Sequence, residues 1–127
     1  MKSILIVDDD ADVRDIIAFK LGRLGYEVIT ASDGAAGLEA ATQLRPDLIL
    51  LDWMMPELTG LEVCRELRDG PDHADTRVIF LTARSRECDI RIGFEAGIDD
   101  YIVKPFSPSE LANRVAAVLA GKTRSCL

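Results

Sequence analysis

The chain has 127 residues, of which 48% are hydrophobic and 29% are charged, and its formal net charge is −7. That length suffices for one hydrophobic core and is too short for two. An excess of negative charge repels nucleic acid and anionic lipid, so we expect no direct contact with nucleic acid and none with a membrane.

Strands and helices are predicted to alternate along the chain. Five β-type runs, several of them apolar at every position, cover Ile4–Val7, Glu27–Ala31, Leu48–Leu51, Val78–Leu81 and Tyr101–Val103. Apolar residues at three- and four-residue steps predict helices over 13–24, 38–44, 61–67 and 111–119. The segment 86–96 alternates in polarity around Gly93, and we interpret it as a further helix. Continuously apolar strands are typical of a parallel sheet that is covered on both faces.

Turn and capping residues agree with these boundaries. Gly25 follows the first helix, Asp33 precedes the second, and Pro46 closes it. Pro108 stands in the first turn of the last helix, where a proline is tolerated. The result is one α/β domain of five βα units over 1–120, with right-handed crossovers and a tail or truncated linker over 121–127. In such a sheet the binding crevice lies beyond the carboxyl ends of the strands.

Cysteine and histidine are too few for several other kinds of site. The cysteines Cys64, Cys88 and Cys126 form no CxxC pair, which argues against a zinc site and against a disulfide framework. His73 is the single histidine and lies in a polar segment, where we expect it to be solvated. The N-terminus lacks signal-peptide anatomy and no apolar run reaches the length of a membrane span, so a cytoplasmic location is expected.

Polar residues follow four of the five strands. They are an acidic cluster, a further acid, a hydroxyl and an ammonium: Asp8, Asp9 and Asp10, then Asp52, Thr82 and Lys104. Carboxylates confined together repel one another unless a cation compensates, and few, hard oxygen ligands suit Mg²⁺. Phosphoryl transfer needs such a metal, with an ammonium such as that of Lys104, more than it needs covalent chemistry. Asp52 is then the natural nucleophile, and Thr82 can donate a hydrogen bond to a phosphoryl oxygen.

Four short segments stand in order along residues 2–120: Val7–Asp9, Leu50–Pro56 followed by Gly60, Leu81–Arg84 and Asp99–Phe106. Together they resemble the motifs of bacterial two-component response regulator receiver domains, chemotaxis regulators among them. The resemblance implies a flavodoxin-like sheet with strand order 2-1-3-4-5. It also implies a signalling switch that catalyses only its own phosphorylation and autodephosphorylation, rather than an enzyme acting on other substrates.

The resemblance also assigns site residues. Asp52 is expected to accept a phosphoryl group from a sensor histidine kinase or a histidine phosphotransfer protein. Asp9 is expected to ligate Mg²⁺ directly and Asp8 mainly through water, with further oxygens from Asp52 and the Met54 carbonyl.

A switch and a set of partners follow from the same resemblance. Thr82 is expected to move toward the phosphoryl group while Tyr101 turns inward, which alters the face of the fourth helix, fifth strand and fifth helix. A downstream effector protein, or an output domain missing from the C-terminal side, would respond; the sequence leaves both open. The resemblance also suggests a phosphorylation-dependent homodimer, because four charged residues resemble those of the family's dimer face: Asp100, Arg114, Glu95 and Glu110. One basic position of that face is occupied by Ile90 in this chain.

Two other kinds of site fit the sequence less well. A haloacid-dehalogenase-like phosphatase would use Asp8 as its nucleophile, but Ala11 and Asp12 stand where that family has Gly-Thr. A calcium loop through Asp8, Asp10 and Asp12 would need a glycine and a bidentate glutamate, but Val13 and Phe19 stand in their places.

Overall fold

A computed structural model describes residues 1–121 and contains five strands that alternate with five helices. The strands are β1 (Ser3–Val7), β2 (Glu27–Ala31), β3 (Leu48–Leu51), β4 (Arg77–Thr82) and β5 (Asp100–Val103). The helices are α1 (Ala11–Arg23), α2 (Gly34–Leu44), α3 (Gly60–Asp69), α4 (Glu87–Glu95) and α5 (Pro108–Leu119). Residues 122–127, predicted to be most of a tail or linker, lie outside the described residues.

All neighbouring strands pair in parallel, in the order β2-β1-β3-β4-β5. This confirms the predicted α/β fold and its strand order. Alternate residues of β1 enter different cores, since Ile4 and Ile6 pack with α1 and α5, whereas Leu5 and Val7 pack with α2 and α3. Both faces of the sheet are therefore covered, which explains why the central strands are apolar at every position.

Side chains of the residues before α1, α2 and α5 cap the first turns of these helices. The Asp10 carboxylate accepts hydrogen bonds from two amides of the first turn of α1, and Asp33 caps α2. Ser107 caps α5, with Pro108 in its first turn. At α4 the N-cap is Arg86, whose side chain makes no capping hydrogen bond, in line with the weaker sequence signal for this helix.

His73 corrects one expectation. We expected a solvated side chain, but His73 is only 5% exposed, and its Nδ1 lies 3.0 Å from the Thr76 hydroxyl. The loop around it is held by Arg68, whose guanidinium donates to the His73 carbonyl. Within residues 1–121, no helix is both long enough and apolar enough to cross a membrane.

Candidate functional site

The candidate site lies at the carboxyl edge of the sheet. Asp8 follows β1 and Asp52 follows β3, where the Asp52 amide donates to the Val7 carbonyl at 2.9 Å. Thr82 ends β4, and its carbonyl accepts from the Lys104 amide at 2.9 Å. The parallel register thus brings two carboxylates, a hydroxyl and an ammonium together, as the sequence pattern predicted.

Three carboxylates form the acidic part of the site. Each of Asp8, Asp9 and Asp52 offers an oxygen within 4.8 Å of the other two. Asp8 and Asp52 are buried, whereas Asp9 is exposed. Backbone amides orient the two buried groups: Asp10 donates to Asp8 Oδ1 at 2.9 Å, and Met54 donates to Asp52 Oδ1 at 3.1 Å.

Lys104 is the cation that lies next to the buried carboxylates. Its Nζ lies 3.0 Å from Asp8 Oδ2 and 3.7 Å from Asp52 Oδ2. One ammonium cannot balance three ionised carboxylates, so the ionised site keeps an excess of negative charge. Closely spaced, hard oxygen donors with such an excess fit Mg²⁺, which binds through a few carboxylates and keeps several waters.

Burial and charge both act on the Asp52 carboxyl. The pKa of Asp52 is raised from 3.8 to about 6, mainly by burial and next by the charge of the neighbouring Asp8. The Lys104 ammonium and the Met54 amide oppose it, and Asp9 raises the pKa further. With a pKa of about 6, Asp52 is ionised at neutral pH, but its negative charge lowers the stability of the fold. A bound cation would offset this loss.

Asp52→Asn is expected to stabilise the fold above pH 6 in the presence of EDTA. The folded-state pKa of Asp52 lies above its ordinary value, so the cost of its charge is full above about pH 6 and disappears as the pH falls toward 4. The shift corresponds to about 2 kcal/mol at pH 7.5, after allowance for solvent screening. Urea unfolding of the wild type and the variant at pH 7.5 and at pH 4 measures the gain. An equal gain at both pH values would contradict this origin of the cost.

Thr82 and Tyr101 are joined through the main chain of Arg84. Thr82 is fully buried, and its Oγ1 accepts from the Arg84 amide at 3.3 Å. The Tyr101 ring is also buried, and its hydroxyl donates to the Arg84 carbonyl at 2.6 Å. Burial raises the pKa of Tyr101 to about 12, and the Asp89 charge contributes. The Tyr101 ring is already buried in this structure, and its expected inward turn on phosphorylation stays a prediction.

Among the charges that resemble those of the family's dimer face, Arg114 forms ion pairs with Asp100 and Glu110 of the same chain. Arg114 Nη1 donates to the Tyr101 carbonyl at 2.8 Å and lies 3.4 Å from Asp100 Oδ1. Its Nε is 3.9 Å from Glu110, one helical turn away, and Glu95 is exposed on α4. These contacts leave the expected homodimer as a prediction.

Sequence reasoning did not single out two residues that contact the site. Arg14 of α1 donates from Nη1 to the Asp8 carbonyl at 2.7 Å. Asp89 of α4 is buried and pairs with Arg84 at 3.0 Å. In the sequence, Arg14 is one of several charged residues on an amphipathic helix. Asp89 lies in the first turn of a helix, where an acid commonly stabilises the helix dipole, so neither residue stands out. Only the directions of their side chains in the folded chain distinguish these two residues from ordinary surface charges.

Gly60 lets the first turn of α3 lie against the peptide that follows Asp52. A Cβ at this position would overlap the Asp52 carbonyl oxygen and lie 2.8 Å from Trp53 Cα. Both contacts are with backbone, so Gly60→Ala is expected to reduce the free energy of unfolding by about 2 kcal/mol. Gly22→Ala, on the open side of α1, is the matched control because nothing lies within 4 Å of its Cβ. Urea unfolding should show Gly22→Ala neutral or stabilising; equal losses would contradict the overlap.

A family model described as the response regulator receiver domain matches residues 4–116. The chain is 47% identical over 118 residues to the alkaline phosphatase synthesis transcriptional regulatory protein PhoP of Bacillus subtilis. That match covers 93% of this chain and 48% of PhoP. The chain thus spans about half the length of the curated relatives it matches.

Two solved structures share the fold over nearly their whole length. The chemotaxis response regulator CheY4 of Vibrio cholerae is 33% identical with a TM-score of 0.89, and the match covers 93% of this chain and 98% of CheY4. The BeF3-activated receiver domain of DrrB, an OmpR/PhoB homologue of Thermotoga maritima, is 37% identical with a TM-score of 0.85. That match covers 94% of this chain and 98% of the DrrB domain. These matches give the phosphatase interpretation no support.

Proposed function

The chain belongs to the response regulator receiver domains of two-component systems, and we propose that Asp52 is its phosphoryl acceptor. The observation that carries the proposal is the position of Asp52 at the end of the central strand β3. There its buried carboxylate lies 3.7 Å from the Lys104 ammonium and beside Asp8. Asp8, the nucleophile of the rejected phosphatase, instead pairs with Lys104 at 3.0 Å.

The proposed step is an in-line displacement at phosphorus. An ionised Asp52 oxygen forms the new P–O bond while the bond from phosphorus to the donor breaks. The leaving group keeps the bonding electron pair: a phosphohistidine leaves as a neutral imidazole after its nitrogen takes up a proton from solvent, whereas a small acyl phosphate leaves as a carboxylate anion and needs no proton. The raised pKa of Asp52 still leaves it ionised at neutral pH. Lys104 faces the reacting oxygens, and the Thr82 hydroxyl hydrogen is available to a phosphoryl oxygen.

The metal that fits the three carboxylates is Mg²⁺, which supplies charge neutralisation for the transferring phosphoryl group. Asp9, Asp52 and the Met54 carbonyl would hold it directly, and Asp8 would act through water. The burial of Asp8 and its pairing with Lys104 support an indirect role for this residue.

The proposed output is a change on the face formed by α4, β5 and α5. A sensor histidine kinase or a histidine phosphotransfer protein would supply the phosphate. The relatives of which the chain spans about half the length include transcriptional regulators. An output domain beyond residue 120, a separate effector protein or a homodimer would therefore receive the signal. A cytoplasmic location belongs to the same proposal.

Trapping of the acyl phosphate tests the proposal on the wild-type chain. The protein is incubated with acetyl phosphate, with Mg²⁺ or with EDTA, and then reduced with borohydride, which converts a phosphoaspartate into homoserine. Peptide mass spectrometry should find homoserine at position 52, in the Mg²⁺ sample alone. Homoserine at position 8 would instead support the phosphatase mechanism, and an unmodified chain would remove the receiver mechanism.

A further inference from the structure

The Arg84 side chain connects the segment after Asp52 with helix α4. Its guanidinium carbon lies 4.5 Å from the centre of the Trp53 ring, close enough for a cation–π interaction. Nη2 of the same guanidinium is 3.0 Å from Asp89 Oδ1, and Nη1 is 3.7 Å from Met54 Sδ. One side chain thus contacts the two residues that follow Asp52 and an acid in the first turn of α4.

The Asp89 contact differs from an ordinary surface ion pair. The Asp89 side chain is 7% exposed and that of Arg84 is 41% exposed. A buried carboxylate that loses its partner is left with an unpaired charge, which is far more costly than the loss of a solvated pair. If Arg84 moves, a movement of Asp89 that keeps the ion pair is therefore strongly favoured.

The main chain of Arg84 is bonded to both residues of the expected switch. Its amide donates to Thr82 Oγ1 at 3.3 Å, and its carbonyl accepts from the Tyr101 hydroxyl at 2.6 Å. A Thr82 hydroxyl that turns toward a phosphoryl oxygen changes its bond with the Arg84 amide. The same residue would transmit this change through its side chain to Trp53 and Asp89.

We infer that Arg84 is a positioning residue that couples occupation of the Asp52 site to helix α4, through its Trp53 stack and its Asp89 pair. The inference rests on the proposed function of Asp52 and adds the route by which the α4 surface responds. Coupling of this kind is reciprocal: whatever Arg84 conveys from the site to α4, it also conveys from a partner bound at α4 to the site.

The test measures the response of α4 to BeF3, a phosphoryl analogue, in the presence of Mg²⁺. Amide hydrogen exchange over 87–95 gives the protection of α4, and emission of Trp53, the single tryptophan of the chain, reports on the stack. The variants are Arg84→Met, which keeps the aliphatic stem, and Asp89→Asn, which keeps the shape of the acid. Arg86→Met is the matched control, since Arg86 is exposed in the same loop and makes no capping bond.

Both test variants are expected to reduce the BeF3-induced change in α4 protection by about 2- to 30-fold. The double variant should reduce it no further, because both changes break one connection. Arg84→Met should also lose the Trp53 emission change, whereas Arg86→Met should respond as the wild type does. If Arg84→Met fails to fold, Asp89→Asn alone decides, since it leaves Arg84 and its stack in place.

Phosphorylation of Asp52, followed by intact mass, separates failure of the inference from failure of the proposed function. A full α4 response in both variants, with Asp52 still phosphorylated, would overturn the inference alone. A wild type that neither binds BeF3 nor takes up phosphate would overturn both.

Discussion

Asp52→Asn is expected to abolish phosphoryl uptake from acetyl phosphate, with no phosphorylated species detectable by intact mass at any Mg²⁺ concentration. The amide oxygen of Asn is a poor nucleophile and carries no charge, so the acyl phosphate cannot form. Asn can still accept the hydrogen bond from the Met54 amide that orients Asp52. The change therefore removes the reacting group and retains the local backbone contacts.

Two other acids remain in the site of Asp52→Asn, so this variant shows whether Asp52 alone accepts the phosphoryl group. Asp8 and Asp9 keep oxygens within 4.8 Å of the Asp52 position, so either could accept phosphate if geometry alone were sufficient. Asp8 is held by Lys104 at 3.0 Å and by the Asp10 amide, and these bonds lower its availability for attack. Asp75→Asn, an exposed substitution in the loop before β4, is the control for the loss of one carboxylate. Phosphate uptake by Asp52→Asn would show that another acid is the acceptor.

The sheet and its edge could be predicted from the sequence because backbone patterns specify them. The five β-type runs, several of them continuously apolar, located all five strands to within one residue at each end, and β2 and β3 matched at both ends. A residue directly after such a strand must lie at the carboxyl edge, which is why the pattern alone could place Asp8, Asp52 and Lys104 together. The periodicity did not determine the strand order; the family resemblance supplied it.

Side-chain partners could not be predicted in the same way. The Arg84 guanidinium reaches Trp53, 31 positions earlier in the chain, and Asp89 in the next helix, and both contacts depend on rotamers that spacing does not specify. His73 lies in a polar segment, yet the loop turns its ring inward against Thr76. Asp100 has the sequence character of a surface charge, and it is 6% exposed beside Arg114. Each case is decided by how two elements pack, which the local sequence does not encode.

Asp9→Asn is expected to weaken Mg²⁺ binding by at least about tenfold, as loss of a metal ligand does. Asp9 is the exposed acid of the three, so the substitution disturbs no buried pair. Mg²⁺ stabilises the wild-type fold by RT ln(1 + [Mg²⁺]/Kd), about 1.4 kcal/mol at ten times Kd, and the variant should lose most of this gain at the same concentration. Thermal unfolding across an Mg²⁺ titration measures both affinities, with Asp12→Asn on the exposed start of α1 as the control.

The same variant should behave in the opposite way when the metal is removed. In EDTA the Asp9 charge raises the pKa of Asp52 and so adds to the cost of the ionised cluster. Asp9→Asn should therefore be slightly more stable than the wild type in EDTA and less stable in saturating Mg²⁺. A change of sign between the two conditions identifies Asp9 as a metal ligand within a repelling cluster, because loss of a purely structural contact would lower stability in both. If Asp9→Asn lost the same stability with and without Mg²⁺, Asp9 would not be a ligand.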